Sequence, residues 1–220
     1  MSKHRLLFSK EGQAKYISHL DLMRTIQRAF LRAEIKVRHT EGFNPHPYMS
    51  IGLPLSVGCE SVCELMDFDL ESDLPFDEIP KLLNPAFPEG IAVKEVYEAE
   101  KKLKEIVWLE IRGVLTYDSG VGDEAAEVLS DFFKSESIVI EKKTKKGVGE
   151  LDIIPCIKEI KFTKSGDNNM ILDAVISAQN PSLNPEYIIS AIRMKREAYT
   201  PDFVEFKRTQ VYDKDMNVFR

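Results

Sequence analysis

Two histidines, an aspartate, an amide and the first of a row of arginines lie in Tyr16-Ile-Ser-His-Leu-Asp-Leu-Met-Arg24 and, eighteen residues on, Gly42-Phe-Asn-Pro-His-Pro47. His19 falls in what reads as the first turn of a helix, where the positive end of the helix dipole favours neutral imidazole, a base or a metal ligand. Its alternative is a histidine packed beside the cap and bonded to backbone. Asp21, three residues after Ser18, reads first as a helix-start acid and second as a catalytic carboxylate. In the second stretch two prolines fix the backbone around His46, while Gly42 and Asn44 tolerate positive φ. Phe43, beside Asn44 and His46, either stacks on an unpaired base or folds into the core as part of a structural hairpin connection. Arg24, Arg28 and Arg32 recur every four residues on one helix face and could track phosphates, against the plainer reading of a solvated charged face.

Other chemistry is weakly signalled. Lys142-Lys-Thr-Lys-Lys-Gly-Val-Gly149 is basic and ends in glycines, yet it lacks the Walker spacing and the dinucleotide fingerprint, so it reads as a hairpin tip with solvated lysines. Cys59 and Cys63 begin a Cys-x3-Cys-x2-Cys pattern whose third position is Met66, which removes a thiolate that an iron-sulfur cluster requires. Zinc held by His19, His46 and a cysteine has no diagnostic spacing, and no metal or cofactor is expected. The Gly-x-Ser-x-Gly elbow and the His-Glu-x-x-His helix are absent.

Charge is uneven. Residues 1–56 hold nine Lys and Arg against four Asp and Glu, a net charge of +5, which leaves −11 for the remainder of a chain whose total is −6. All four histidines, His4, His19, His39 and His46, lie in that basic segment, so the polar chemistry sits at the N-terminal end. Three cysteines do not describe a disulfide scaffold. The absence of a long apolar run, and a start that leads straight into a strand-like pattern, point to a cytoplasmic protein that does not enter a membrane.

The elements that must position these residues follow from periodicity. Arg5 to Ile17 reads as a strand pair or one bent strand. A helix from about His19 to Glu34 follows, capped by Ser18, with Leu22, Met23, Ile26, Ala29, Phe30 and Ala33 as its buried stripe. Ile35–His39, Met49–Leu55 and Cys63–Leu70 read as strands, Pro75–Leu83 as a short helix opened by Asp73, and Ile91–Val96 as a strand. After a charged junction at Glu98–Glu105, strands are expected over Ile106–Leu115, Ile138–Lys142, Leu151–Thr163, Met170–Ala178 and Phe203–Tyr212. Helices are expected over Asp123–Lys134 and Asn184–Met194, the latter with Pro185 in its first turn. The order implies an α+β protein of two tandem ferredoxin-like (βαββαβ) halves with antiparallel sheets, residues 1–100 carrying the motifs and residues 101–220 repeating the fold.

Tyr16-Ile-Ser-His-Leu-Asp21 with Arg24, Gly42-Phe-Asn-Pro-His-Pro47, and Pro54-Leu-Ser-Val-Gly58 with Glu60-Ser61 and Glu64 together resemble the DUF2344 family, also called radical SAM-linked proteins. The resemblance covers mainly residues 4–100. It continues in outline through Leu151-Asp152-Ile153 and Asn184-Pro-Glu186. It implies a protein of unassigned activity that works with, or is fused behind, a cobalamin-type radical SAM protein, in a genomic setting of RNA and ribosome maturation. The cluster would then belong to the partner, consistent with Met66. A looser similarity, in element order and first-helix histidine, is to the RNA-processing endoribonucleases of CRISPR systems.

Three readings follow. In the first, the chain recognises an RNA or ribonucleoprotein for a radical SAM partner, with Arg24, Arg28 and Arg32 on phosphate, Phe43 stacking, and His19, Asp21, Asn44 and His46 forming a polar pocket. In the second it is a metal-independent endoribonuclease with His19 as general base and His46 as acid. In the third it is purely a protein-interaction module.

Overall fold

A computed structural model describes residues 4–144 and 147–220. Contacts divide the chain into two compact units, one formed by the chain up to Glu105 together with Phe219–Arg220, the other by Ile106–Val218. Both are α+β.

The first unit runs β1 (His4–Lys10), α1 (His19–Arg32), β2 (Met49–Gly52), β3 (Glu60–Phe68), α2 (Glu78–Leu83) and β4 (Ile91–Glu98). Its strands lie in the order β4-β1-β3-β2 and every ladder is antiparallel. Leu6, Phe8, Met66 and Phe68 from the central strands meet Leu22, Ile26, Ala29 and Phe30 of α1 and Ile79 and Leu83 of α2, so both helices cover the same face of the sheet. The other face carries an ion pair whose guanidinium is buried and whose carboxylate is partly exposed. Arg5, with no exposed surface, donates from Nε and Nη2 to the two Asp67 oxygens at 2.6 and 2.9 Å and from Nη2 to the Lys101 carbonyl at 2.7 Å. The Phe219 ring lies over its guanidinium, 5.0 Å away.

The second unit runs β5 (Trp108–Thr116), α3 (Ala125–Phe132), β6 (Val139–Thr144), β7 (Gly147–Asp152), β8 (Ile157–Lys164), β9 (Asn169–Ser177), α4 (Glu186–Lys195) and β10 (Phe203–Tyr212). Four strands form an antiparallel sheet in the order β10-β5-β9-β8, and β6 and β7 make a separate hairpin. Phe133 stacks on Phe162 and meets Phe132 edge-on, joining α3 to β8. The two motif fragments in this half are backbone fasteners. Asp152 Oδ1 accepts from the amides of Ile138 and Ile154, and Asn184 Oδ1 accepts from the Glu186 amide at the start of α4.

Most expected elements are present, with local corrections. The strand pair or bent strand expected over Arg5–Ile17 is a single strand that stops at Lys10 and gives way to a 3-10 turn, Gly12–Tyr16. Gly90 is the reason the chain can fold there. It has φ +87°, and a Cβ at this position would lie 2.3 Å from the Glu11 carbonyl oxygen, whereas the glycine carbonyl instead accepts the Glu11 amide. Ile35–His39 is not a strand; it makes single bridges from Val37 to Leu70 and from His39 to Pro47. The short helix begins at Glu78, after Asp77, so Asp73 does not open it. Lys145 and Lys146 of the basic stretch lie outside the described residues, as do the side chains of 142–144 and Val148.

Candidate functional site

The helix start is built as its sequence dictates. Ser18 is extended, and its hydroxyl accepts the Asp21 amide at 3.2 Å while donating to Asp21 Oδ2 at 2.8 Å. Asp21 Oδ1 also accepts from Arg24 at 3.1 Å. The Ser18 hydroxyl, then Arg24, hold the Asp21 carboxyl below its ordinary value. Its acceptors are thus committed to the cap and to Arg24. His19 is exposed at the first position of α1, on the face that continues through Leu22 and Ile26.

Beneath this end of α1 lies a polar cluster whose chemistry the sequence did not announce. Lys10 is 1% exposed and Glu64 fully buried, each on a central strand. Burial lowers the Lys10 pKa, opposed by the Glu64 carboxylate and by Cys59. Lys10 Nζ donates to the Lys15 carbonyl at 3.2 Å; the same oxygen accepts the Gly58 amide at 2.9 Å, and Glu60 Oε1 accepts the Gly12 amide at 2.9 Å. The Pro54–Gly58 and Glu60–Glu64 motif residues therefore fasten the 3-10 turn to β3. The available signal was a lysine ending an apolar strand and a glutamate inside another, Cys63-Glu-Leu-Met-Asp-Phe68.

The Gly42–Pro47 loop is at the other end of the sheet. Strand register puts Met49 beside Phe68 and Phe68 beside His4, whereas Lys10, which leads to His19, pairs with Ser61. Six residues of strand separate the two ends, about 20 Å. His19 and Asp21 therefore do not join Asn44 and His46 in one polar pocket, and His19 and His46 cannot act as base and acid on one bond. This corrects the expectation that the two motifs converge.

The loop is pinned at its base. The Thr40 amide donates to the His46 carbonyl at 2.8 Å, the His46 amide donates to Thr40 Oγ1 at 2.9 Å, and the Tyr48 amide donates to the Arg38 carbonyl at 2.8 Å. Gly42 has φ +127°; Asn44 does not take a positive φ. Asn44 and His46 are exposed, and Phe43 is entirely so at 112%, which removes the reading that folds it into the core.

A cleft of about 550 Å³ lies between the C-terminal half of α1 and the base of this loop. Gln27, Phe30, Leu31 and Glu34 form one wall; Ile35, Val37, His39, Pro47 and Met49 form the other, with Lys36 and Glu71 at the rim. On α1, Arg24 and Arg28 are exposed, and the Arg28 side chain makes no hydrogen bond among the described residues. Arg32 differs: its guanidinium donates to the Ala86 carbonyl, so it anchors the segment after α2. Among the described residues no group of three or more His, Cys, Asp and Glu is placed to hold a metal ion, and no helix is long and apolar enough to cross a membrane. Met66, where an iron-sulfur pattern would need cysteine, is fully buried core.

No curated protein matches the sequence. Among solved structures, a chain in a crystal structure of a Cbf5-Nop10-Gar1 complex is similar in fold, with TM-score 0.55 and 8% identity over 96% of this chain and 49% of that one. This chain thus spans about half the length of that neighbour. An unknown protein from Galdieria sulphuraria aligns at 10% identity over 94% of this chain and 98% of that one, with a TM-score of 0.27, too low to support an argument. The family comparison reaches well past the N-terminal motifs: the model for DUF2344, described as an uncharacterized protein conserved in bacteria, matches residues 3–185, and the chain belongs to that family.

Proposed function

We propose that this chain is a cytoplasmic recognition protein for an RNA or ribonucleoprotein, working with a radical SAM partner of the cobalamin type that would supply the cluster Met66 denies this chain. We further read each unit as a ferredoxin-like βαββαβ fold, the second with β6–β7 inserted. The strand orders β4-β1-β3-β2 and β10-β5-β9-β8 support that reading.

The observation that carries the functional reading is Phe43. A fully exposed phenyl ring is unfavourable in water unless something covers it, and this one stands on a loop pinned by three hydrogen bonds and two prolines. A ring pre-positioned in this way loses little freedom when an unpaired base stacks on it, an interaction of about 1–3 kcal/mol per base. Arg24 and Arg28 would neutralise phosphate; the exposed Asp21 pairing does not prevent this, since such pairs contribute little. Asn44 and His46 add hydrogen-bonding groups at the same loop.

The test is crosslinking and recovery of RNA from cells, comparing the wild-type chain with Arg24→Glu/Arg28→Glu and with Phe43→Ala. A defined RNA recovered by the wild type and lost from both variants is the expected result. Recovery unchanged by either variant, or no RNA above background, overturns the reading and favours a protein-interaction module.

A further inference from the structure

We propose that the cleft between α1 and residues 35–49 holds a guanine base, presented by the RNA that the proposed function assigns to this chain and so resting on that reading for its source. The cleft falls within the size range of small-ligand sites. Phe30 and Leu31 on the wall from α1, and Ile35, Val37 and Met49 on the opposite wall, give apolar surface for the two faces of a flat ring.

The rim then selects among bases by its excess of acceptors. Glu34 and Glu71 are carboxylates that only accept. His39 Nδ1 lies 2.9 Å from the Val37 carbonyl. A carbonyl can only accept, so Nδ1 carries the proton in the neutral ring and Nε2 is left as a third acceptor. Guanine answers such a rim best. Its Watson–Crick edge presents adjacent N1–H and N2–H donors, which one carboxylate can take bidentately. Adenine sets an amino group beside an acceptor, and uracil has one N–H between two carbonyls. Lys36 and the Gln27 amide supply donors for the guanine O6.

Glu34 is the carboxylate to which the geometry assigns the bidentate contact, because its position is otherwise unexplained. It follows the helix cap in the left-handed conformation, φ +57°, with its amide on the Leu31 carbonyl and the Ile35 amide on the Phe30 carbonyl. Glycine is the favoured residue at this place in such a helix ending. A glutamate here is strained, and its side chain lines the cleft.

The experiment measures binding of GMP, IMP and AMP to the full chain, and of a short single-stranded RNA in which each guanine is replaced in turn by inosine or adenine. GMP should bind, and IMP, lacking the N2 amine, should bind roughly tenfold more weakly. Glu34→Gly should melt a few degrees higher than the wild type, which separates lost binding from lost folding, while losing the preference for GMP over IMP. Leu31→Ser, at an exposed position on the cleft wall, removes apolar stacking surface without adding charge and should weaken all three nucleotides. GMP binding without RNA binding would remove the RNA reading and keep the pocket. RNA binding that tolerates every guanine replacement, with no GMP binding, overturns the pocket and keeps the RNA reading. Binding of neither overturns both.

Discussion

The residue that best shows what burial does to chemistry here is Lys10. Its ammonium has almost no access to water, and desolvation lowers its pKa despite the nearby Glu64 carboxylate. Replacing it by an apolar side chain leaves Glu64 buried without that compensating charge. Lys10→Met should therefore destabilise by about 3–5 kcal/mol, and Lys10→Met with Glu64→Leu should recover much of the loss, since two well-packed apolar groups can replace buried charges. Urea midpoints of the two single variants and the double variant measure the coupling; additive losses would show that the two charges do not support each other. In the sequence, Lys10 is one residue of the Arg5–Ile17 stretch that reads as strand, and nothing in its spacing marks it as buried. Its burial depends on the 3-10 turn and the Pro54–Gly58 loop closing over it, contacts more than forty residues apart in the chain.

At the scale of elements, α1 was the most legible part of the chain. Its stripe, its Ser18 cap and its acid at Asp21 all act locally, through bonds within four residues, and these are the interactions that sequence spacing reports directly. The pH dependence of this helix start follows from the same bonds. The folded-state pKa of Asp21 is depressed below 3.8, so ionised Asp21 stabilises the fold above that value, and the contribution is lost as the pH falls through the lower folded value. Melting curves of wild type and Asp21→Asn should accordingly differ at pH 7 and converge in strong acid; a constant difference across that range would contradict the cap assignment. Ile35–His39 was misread because its apolar alternation is genuine, with Ile35 and Val37 buried. Those side chains face the cleft and the core, while the backbone of the segment is split between Asp69–Glu71 on one side and His46–Tyr48 on the other, too briefly for a ladder.

For the molecule as a whole, two features tie function and stability to long-range structure. If single-stranded RNA is held through Arg24 and Arg28, their joint reversal to glutamate should reduce the slope of log K against log salt by about 1.4 or more, because each lost phosphate contact contributes about 0.7. The second feature is Phe219, 2% exposed, which closes over Arg5 in the first unit although it lies 214 residues further along the chain. Phe219→Ala should lower stability by about 3–5 kcal/mol, read as a reduced urea midpoint, since it leaves a cavity beside a buried guanidinium whose Nη1 has no hydrogen-bond partner. By itself, the sequence determined the α+β class, the position of most helices and strands, the cap of α1 and the family, because these rest on spacing along the chain. Only the tertiary structure decided that the two histidine motifs stand at opposite ends of one sheet, that Arg32 is anchored while Arg28 is not, and that a cleft opens between α1 and the Phe43 loop. Those outcomes depend on strand order and register, which bring distant residues together or hold near ones apart, and neither is written in the periodicity of a single segment.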